Sequence, residues 1–156
     1  MSTHGPITPA EVLALLPQQR PFRFLDRLLA IDEAGATGEY TFRPDEWFYA
    51  GHFPGDPVTP GVILIETLCQ TGLVALGIHL LALELPLEEV RKTVTLFTEA
   101  QVEFEQIVRP GQTVIVEAQK VLWRRRKLKS NVLLRLADGT PVARGTVAGM
   151  GVARAS

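Results

Sequence analysis

Two side chains of the kinds that move protons, His52 and Glu66, lie fourteen positions apart near the middle of the chain. An imidazole changes charge near pH 6.5, so it can accept a proton at neutral pH. A carboxyl group set in apolar surroundings is pushed toward its protonated form and can donate one. The two local sequences differ in the way such a pair requires. His52 stands in Gly51-His52-Phe53-Pro54-Gly55-Asp56-Pro57-Val58-Thr59-Pro60-Gly61, where the prolines forbid regular helix or central strand and stiffen the loop. Glu66 follows in Val62-Ile63-Leu64-Ile65-Glu66-Thr67-Leu68-Cys69-Gln70, and buried carboxylates are rare unless paired. A base on a rigid loop and an acid inside an apolar helix suit general acid–base chemistry.

The flanking elements must position this pair. Thr8-Pro9-Ala10-Glu11 predicts a helix start, with Thr8 as cap, and Pro17 ends the element. Phe22 to Asp32 and Gly38 to Phe42 read as strands, joined through Glu33-Ala34-Gly35 with Gly35 as the turn residue. Pro44 to Gly61 is the stiff loop. Thr59-Pro60, a cap followed by proline, predicts a helix running to about Glu84 before Pro86, roughly 35 Å of it. Its apolar residues lie on all sides, so other structure must wrap it. Thr93 to Ile107, Thr113 to Trp123, Leu128 to Leu136 and Val142 to Met150 read as strands, and Asp138-Gly139 is a hairpin signal. The order predicts an α+β arrangement, an antiparallel sheet wrapped around a long central helix, in a single domain spanning residues 1–156.

Composition narrows the function. A net charge of −1 and a hydrophobic share of 46% give no global attraction to nucleic acid or anionic membrane. The apolar Val62 to Leu85 stretch contains Glu66, Gln70, His79 and Glu84, which argues for a core helix over a membrane span. Cys69 is the single cysteine, which excludes an intrachain disulfide and a cysteine-based metal cluster and suits a cytoplasmic setting. Met1 to Pro6 lacks the pattern of a signal peptide.

The loop and the carboxylate behind it resemble the 3-hydroxyacyl-(acyl-carrier-protein) dehydratases of the FabZ/FabA type, closer to the FabZ branch because the carboxylate is Glu. The likeness extends to Leu16-Pro17 through Pro21-Phe22-Arg23-Phe24-Leu25-Asp26-Arg27, and to Glu103-Phe104 through Arg109-Pro110-Gly111-Gln112. The resemblance implies a hot-dog fold. It implies His52 and Glu66 as the catalytic pair, with no metal and no cofactor. It further implies that the Gly61 N–H binds the thioester carbonyl, that the Val58 carbonyl orients the imidazole, and that Gln70 lies near the carboxylate. Val62, Phe53 and Tyr49 are expected to contact substrate, an aromatic near Tyr49 gating the acyl tunnel. The resemblance also implies acyl carrier protein or an acyl-CoA as the substrate partner. It implies a homodimer whose sites each draw His from one chain and acid from the other, extendable to a hexamer.

Three departures from the family stand out: Thr59 where Met is usual, Thr67-Leu68-Cys69-Gln70 for Ala-Met-Ala-Gln, and Gln18-Gln19-Arg20 for a His-Arg-Tyr-like triplet. None removes a catalytic group. Arg124, Arg125, Arg126 and Lys127 form the densest positive run. It is either a solvated hairpin or a docking site for an acidic carrier protein or coenzyme A phosphates, helped by Arg91, Lys92 or Arg109. No aromatic stacking platform accompanies it, which disfavours nucleic acid. His79 and Cys69 read as core residues, and His4 as part of a disordered start. A hot-dog thioesterase and a non-catalytic acyl-binding module are the rival readings.

Overall fold

The computed structural model describes residues 6–155; His4 lies outside them. Helix α1 (Pro9–Leu15) begins as expected: the Thr8 hydroxyl accepts the Glu11 N–H at 3.1 Å, and the Glu11 carboxylate accepts the Thr8 N–H at 3.0 Å. Strands β1 (Arg27–Ile31) and β2 (Gly35–Thr41) follow, then the loop and the long helix. That helix has three parts: α2 (Gly61–Cys69), a π-helical segment over Gln70–Ala75, and α3 (Leu76–Glu84). A short α4 (Leu87–Arg91) leads into β3 (Thr93–Phe104), β4 (Thr113–Arg124), β5 (Lys127–Leu136) and β6 (Pro141–Ala153). The six strands form one antiparallel sheet in the order β1-β2-β4-β5-β6-β3. It wraps the central helix, which is the hot-dog arrangement.

Burial explains the helix's lack of an amphipathic stripe. Leu68, Leu73 and Leu76 face a cluster built from Phe24, Phe42, Val116, Leu134 and Val147. The opposite side, through Val74, Ile78 and Leu81, packs on Val12, Leu16, Leu25 and Leu28. Each fully buried leucine contributes about 1.5–3 kcal/mol of apolar transfer free energy. The helix is long and apolar enough to cross a membrane, but 78% of its most apolar stretch is buried within the fold.

Several boundaries differ from the sequence reading, each for a local reason. β1 starts at Arg27 rather than Phe22, because the backbone of Phe22 and Phe24 bonds the Gln70 amide instead of a neighbouring strand. Gly35 is not the turn residue. The Asp32 carboxylate accepts the Ala34 and Gly35 N–H groups and makes that turn, while Gly35 already pairs with β4. A β-carbon at Gly35 would lie 2.1 Å from the Ala118 carbonyl oxygen, so close strand approach is its reason for being glycine. The long helix is capped by Pro60, not Thr59, since the Thr59 hydroxyl faces Tyr49. The π-helical segment and α4 were not expected. In the former, Gly72 packs against Val132, and its carbonyl accepts the buried Ser130 hydroxyl at 2.7 Å. Asp138-Gly139 makes the expected hairpin, with Gly139 at φ +98°.

Candidate active site

His52 is fixed by the loop from both sides of its backbone. Its N–H donates to the Tyr49 carbonyl and its carbonyl accepts the Val58 N–H. At the tip, Phe53 and Asp56 exchange two backbone hydrogen bonds around Pro54-Gly55. Gly55 sits at φ +78°, the left-handed region that glycine enters without steric cost. The Phe53 ring stacks on the imidazole, centroids 4.1 Å apart. His52 Nδ1 lies 2.8 Å from the Val58 carbonyl oxygen. A carbonyl only accepts, so Nδ1 carries the proton and Nε2 presents a free lone pair. The Val58 carbonyl is thus the ring's hydrogen-bond partner on the loop.

Glu66 is held by a different set of contacts. The buried Gln70 amide spans three partners: its Oε1 accepts the Phe24 N–H at 2.6 Å, and its Nε2 donates to the Phe22 carbonyl and to Glu66 Oε1, both at 2.9 Å. Burial raises the Glu66 pKa above the usual carboxylate value, and the Gln70 donation offsets this only in part. With Oε1 engaged as an acceptor, the proton of the neutral acid belongs on Oε2. Gln70 thus does more than lie near the carboxylate. It ties the Phe22–Phe24 segment to the helix and engages one of the two carboxyl oxygens.

Glu66 lines a cleft of about 360 Å³ with Val62, Ile65, Cys69 and Phe97. Val62 is 72% exposed. Cys69 is buried there, its thiol pKa raised by burial and by the adjacent Glu66, consistent with a small packing residue. Gly61 opens the helix, so its N–H precedes the first carbonyl that could pair with it. The Phe104 ring lies 3.3 Å from where a Gly61 β-carbon would be. Phe53, 53% exposed, faces a second cleft beside the loop, lined also by Trp47 and Pro57. The two clefts share no lining residue.

Other expected residues are placed less directly. Tyr49 is almost wholly buried, its hydroxyl against Thr59. Arg124 to Lys127 form the β4–β5 turn, with Arg125 and Arg126 at φ 51° and 64°. Lys127 pairs with Met150, the Arg126 carbonyl accepts the Gly151 N–H, and the Lys92 carbonyl accepts the Arg154 N–H. Lys92 and Arg154 so join the cationic end of the sheet, whereas Arg109 is drawn to Asp56 at 2.9 Å on the histidine loop. Arg154 was not singled out in the sequence, since only strand pairing brings it beside Lys92. Phe97 and Phe104, from the distant strand β3, were missed for the same reason. His79 is buried in α3, its pKa lowered by burial, and lies outside both clefts.

Comparison with known proteins gives a consistent picture. A sequence profile described as a FabA-like domain matches residues 16–146. A 3-hydroxyacyl-(acyl-carrier-protein) dehydratase FabZ of Chloroflexus aggregans is 37% identical over 129 residues, covering 82% of this chain and 85% of that protein. The FabZ of Herpetosiphon aurantiacus is 37% identical over 140 residues, covering 89% and 94%. Among solved structures, the dehydratase heterocomplex ApeI:P from Xenorhabdus doucetiae superposes with a TM-score of 0.72 at 15% identity, over 94% of this chain and 92% of that one. A thioesterase from Haemophilus influenzae superposes at 0.58 and 12% identity, over 83% and 80%. At such identities the structures speak for the fold alone.

Proposed function

This chain belongs to the FabA-like family, and on that premise we propose that His52 and Glu66 remove water from a 3-hydroxyacyl thioester. The chain is a hydro-lyase acting on acyl-carrier-protein substrates in fatty-acid biosynthesis. The thioester carbonyl accepts the Gly61 N–H at the helix start, where the helix dipole favours the negative charge that develops on oxygen. His52 Nε2 takes the α-proton. Glu66 Oε2 gives its proton to the β-hydroxyl as the carbon–oxygen bond breaks, so water leaves and a trans-2-enoyl thioester remains. The proton on His52 then returns to Glu66 through solvent or the departing water. Val62 and Phe53 are the side chains placed to touch the acyl group, and no metal or cofactor is required.

The observation that carries this reading is the pair of complementary hydrogen-bonding states. The Val58 carbonyl leaves His52 with a free Nε2, while burial pushes Glu66 toward its protonated form and Gln70 leaves its second oxygen free. A thioesterase would need Glu66 ionised to activate water, against the direction in which its surroundings push it. A non-catalytic acyl-binding module would have no use for either state.

The sites are shared between two copies of the chain, each pairing His52 of one with Glu66 of the other. The separate clefts support this. So does β3, which among the described residues pairs only with β6 and leaves its other 12-residue edge open beside exposed Phe97 and Phe104; such an edge is a template for strand pairing. Further assembly to a hexamer accords with the resemblance. The chain acts as one hot-dog domain, since all six strands join one sheet. Arg124, Arg125, Arg126 and Lys127, with Lys92 and Arg154, supply the cationic surface for an acidic carrier protein. A cytoplasmic setting fits the single buried thiol.

The test is to incubate the protein with 3-hydroxyacyl and plain acyl thioesters on acyl carrier protein and on coenzyme A. Appearance of conjugated-enoyl absorbance, abolished by His52→Ala, is the expected result. Release of free thiol without enoyl product would replace dehydration with hydrolysis.

A further inference from the structure

The loop that carries His52 is closed at its base by two hydroxyls that play no part in the chemistry above. Tyr49 Oη and Thr59 Oγ1 lie 2.6 Å apart, and the two residues are only 4% and 3% exposed. Each is covalently next to, or bonded to, the backbone that cages the imidazole. The Tyr49 carbonyl accepts the His52 N–H. Thr59 directly follows Val58, whose carbonyl takes the Nδ1 proton and whose N–H donates to the His52 carbonyl. Both residues are also anchored outward, Tyr49 N–H to the Glu46 carbonyl and Thr59 N–H to the Val108 carbonyl at 2.8 Å. The Tyr49 ring packs edge-on against Phe48 at 4.7 Å. The hydroxyl contact therefore fixes the spacing of the two strands of the loop between which His52 is held.

A second cross-link sits at the tip, where Arg109 meets Asp56. Both side chains there are largely exposed, and exposed ion pairs contribute little. The buried hydroxyl pair is the stiffer of the two links, because loss of one oxygen leaves the other without a partner in a dry site. Tyr49 is almost wholly buried, and it also forms part of the wall of the cleft that Phe53 lines.

We propose that Tyr49 and Thr59 are a positioning pair for His52: their hydrogen bond sets where the Val58 carbonyl stands and so where imidazole Nε2 aims. This rests on His52 being the base of the dehydration. In this role both act through the loop.

The test uses the full chain, a 3-hydroxyacyl thioester on carrier protein, and the variants Tyr49→Phe, Thr59→Val, Thr59→Ser and the double Tyr49→Phe/Thr59→Val. Misaiming a catalytic group by a fraction of an ångström costs about tenfold or more in rate. Tyr49→Phe and Thr59→Val should each lower kcat roughly tenfold and shift the acid limb of the pH profile, with KM held within about twofold. Thr59→Ser should restore most of the rate, and the double variant should be no worse than either single one. The proposal is overturned if both single variants keep wild-type kcat and pH profile, if KM rises with kcat intact, or if the two losses multiply. Should Thr59→Val fail to fold, Tyr49→Phe, which removes one oxygen, decides alone. His52→Ala runs alongside: if it retains turnover, the assignment of the base has failed, a result distinct from a neutral Tyr49→Phe.

Discussion

Glu66 and its neighbour Gln70 form the smallest unit on which the proposed chemistry depends. Burial raises the carboxyl pKa, so the group prefers its proton in the folded protein more than in the unfolded one. The linkage sign follows: this carboxyl favours folding below the ordinary carboxylate range, and that contribution is lost as pH rises through the raised value. Activity should fall on the same rise, because the ionised form cannot protonate the leaving hydroxyl. Glu66→Gln should lose about two orders of magnitude in kcat and with it the alkaline limb that this carboxyl imposes; a pH–rate series on both proteins reads it. Gln70→Leu should lower kcat as well, since Oε1 loses its donor and the acid can turn. An unchanged alkaline limb in Glu66→Gln would mean that another group supplies the proton.

At the scale of elements, what could be read from the sequence and what could not divide along a physical line. Local chemistry was legible: the Thr8–Glu11 capping box, the Asp138-Gly139 hairpin and the proline-stiffened His52 loop are all set by residues within a few positions of one another. Features decided by distant partners were not. Phe22 to Phe24 has a strand's composition, yet an amide 46 positions away takes the Phe24 N–H. Thr59 has the makings of a cap, yet its hydroxyl serves Tyr49. The π-helical segment left only Gly72 as a trace, and there Ser130 on β5 reaches the Gly72 carbonyl. Ser130→Ala should strand that buried carbonyl and cost about 1–3 kcal/mol, measurable as a lowered denaturation midpoint with kcat nearly intact. Gly145→Ala should be worse, for its β-carbon would fall 1.9 Å from the Gln101 carbonyl oxygen and force β3 off β6. An alanine variant that melts like wild type would show that this strand pair yields more readily than its geometry implies.

For the whole molecule, the sequence carried the fold because its local patterns match the elements, and the proposed reaction because one loop and one helix contain His52 and Glu66, whereas the assembly came only from the family resemblance. The sheet ends in an open, partly apolar β3, and the Glu66 cleft lies under that strand. Sedimentation should give about twice the chain mass of 17.2 kDa or a larger even multiple. The most direct measurement mixes two inactive variants, His52→Ala and Glu66→Gln, after unfolding and refolding them together. In a shared-site dimer, half the dimers are mixed and each mixed dimer holds one intact site, so about a quarter of wild-type turnover should return. If both groups of every site come from a single chain, no mixture regains activity, and a mixture as inactive as its parents would contradict the account.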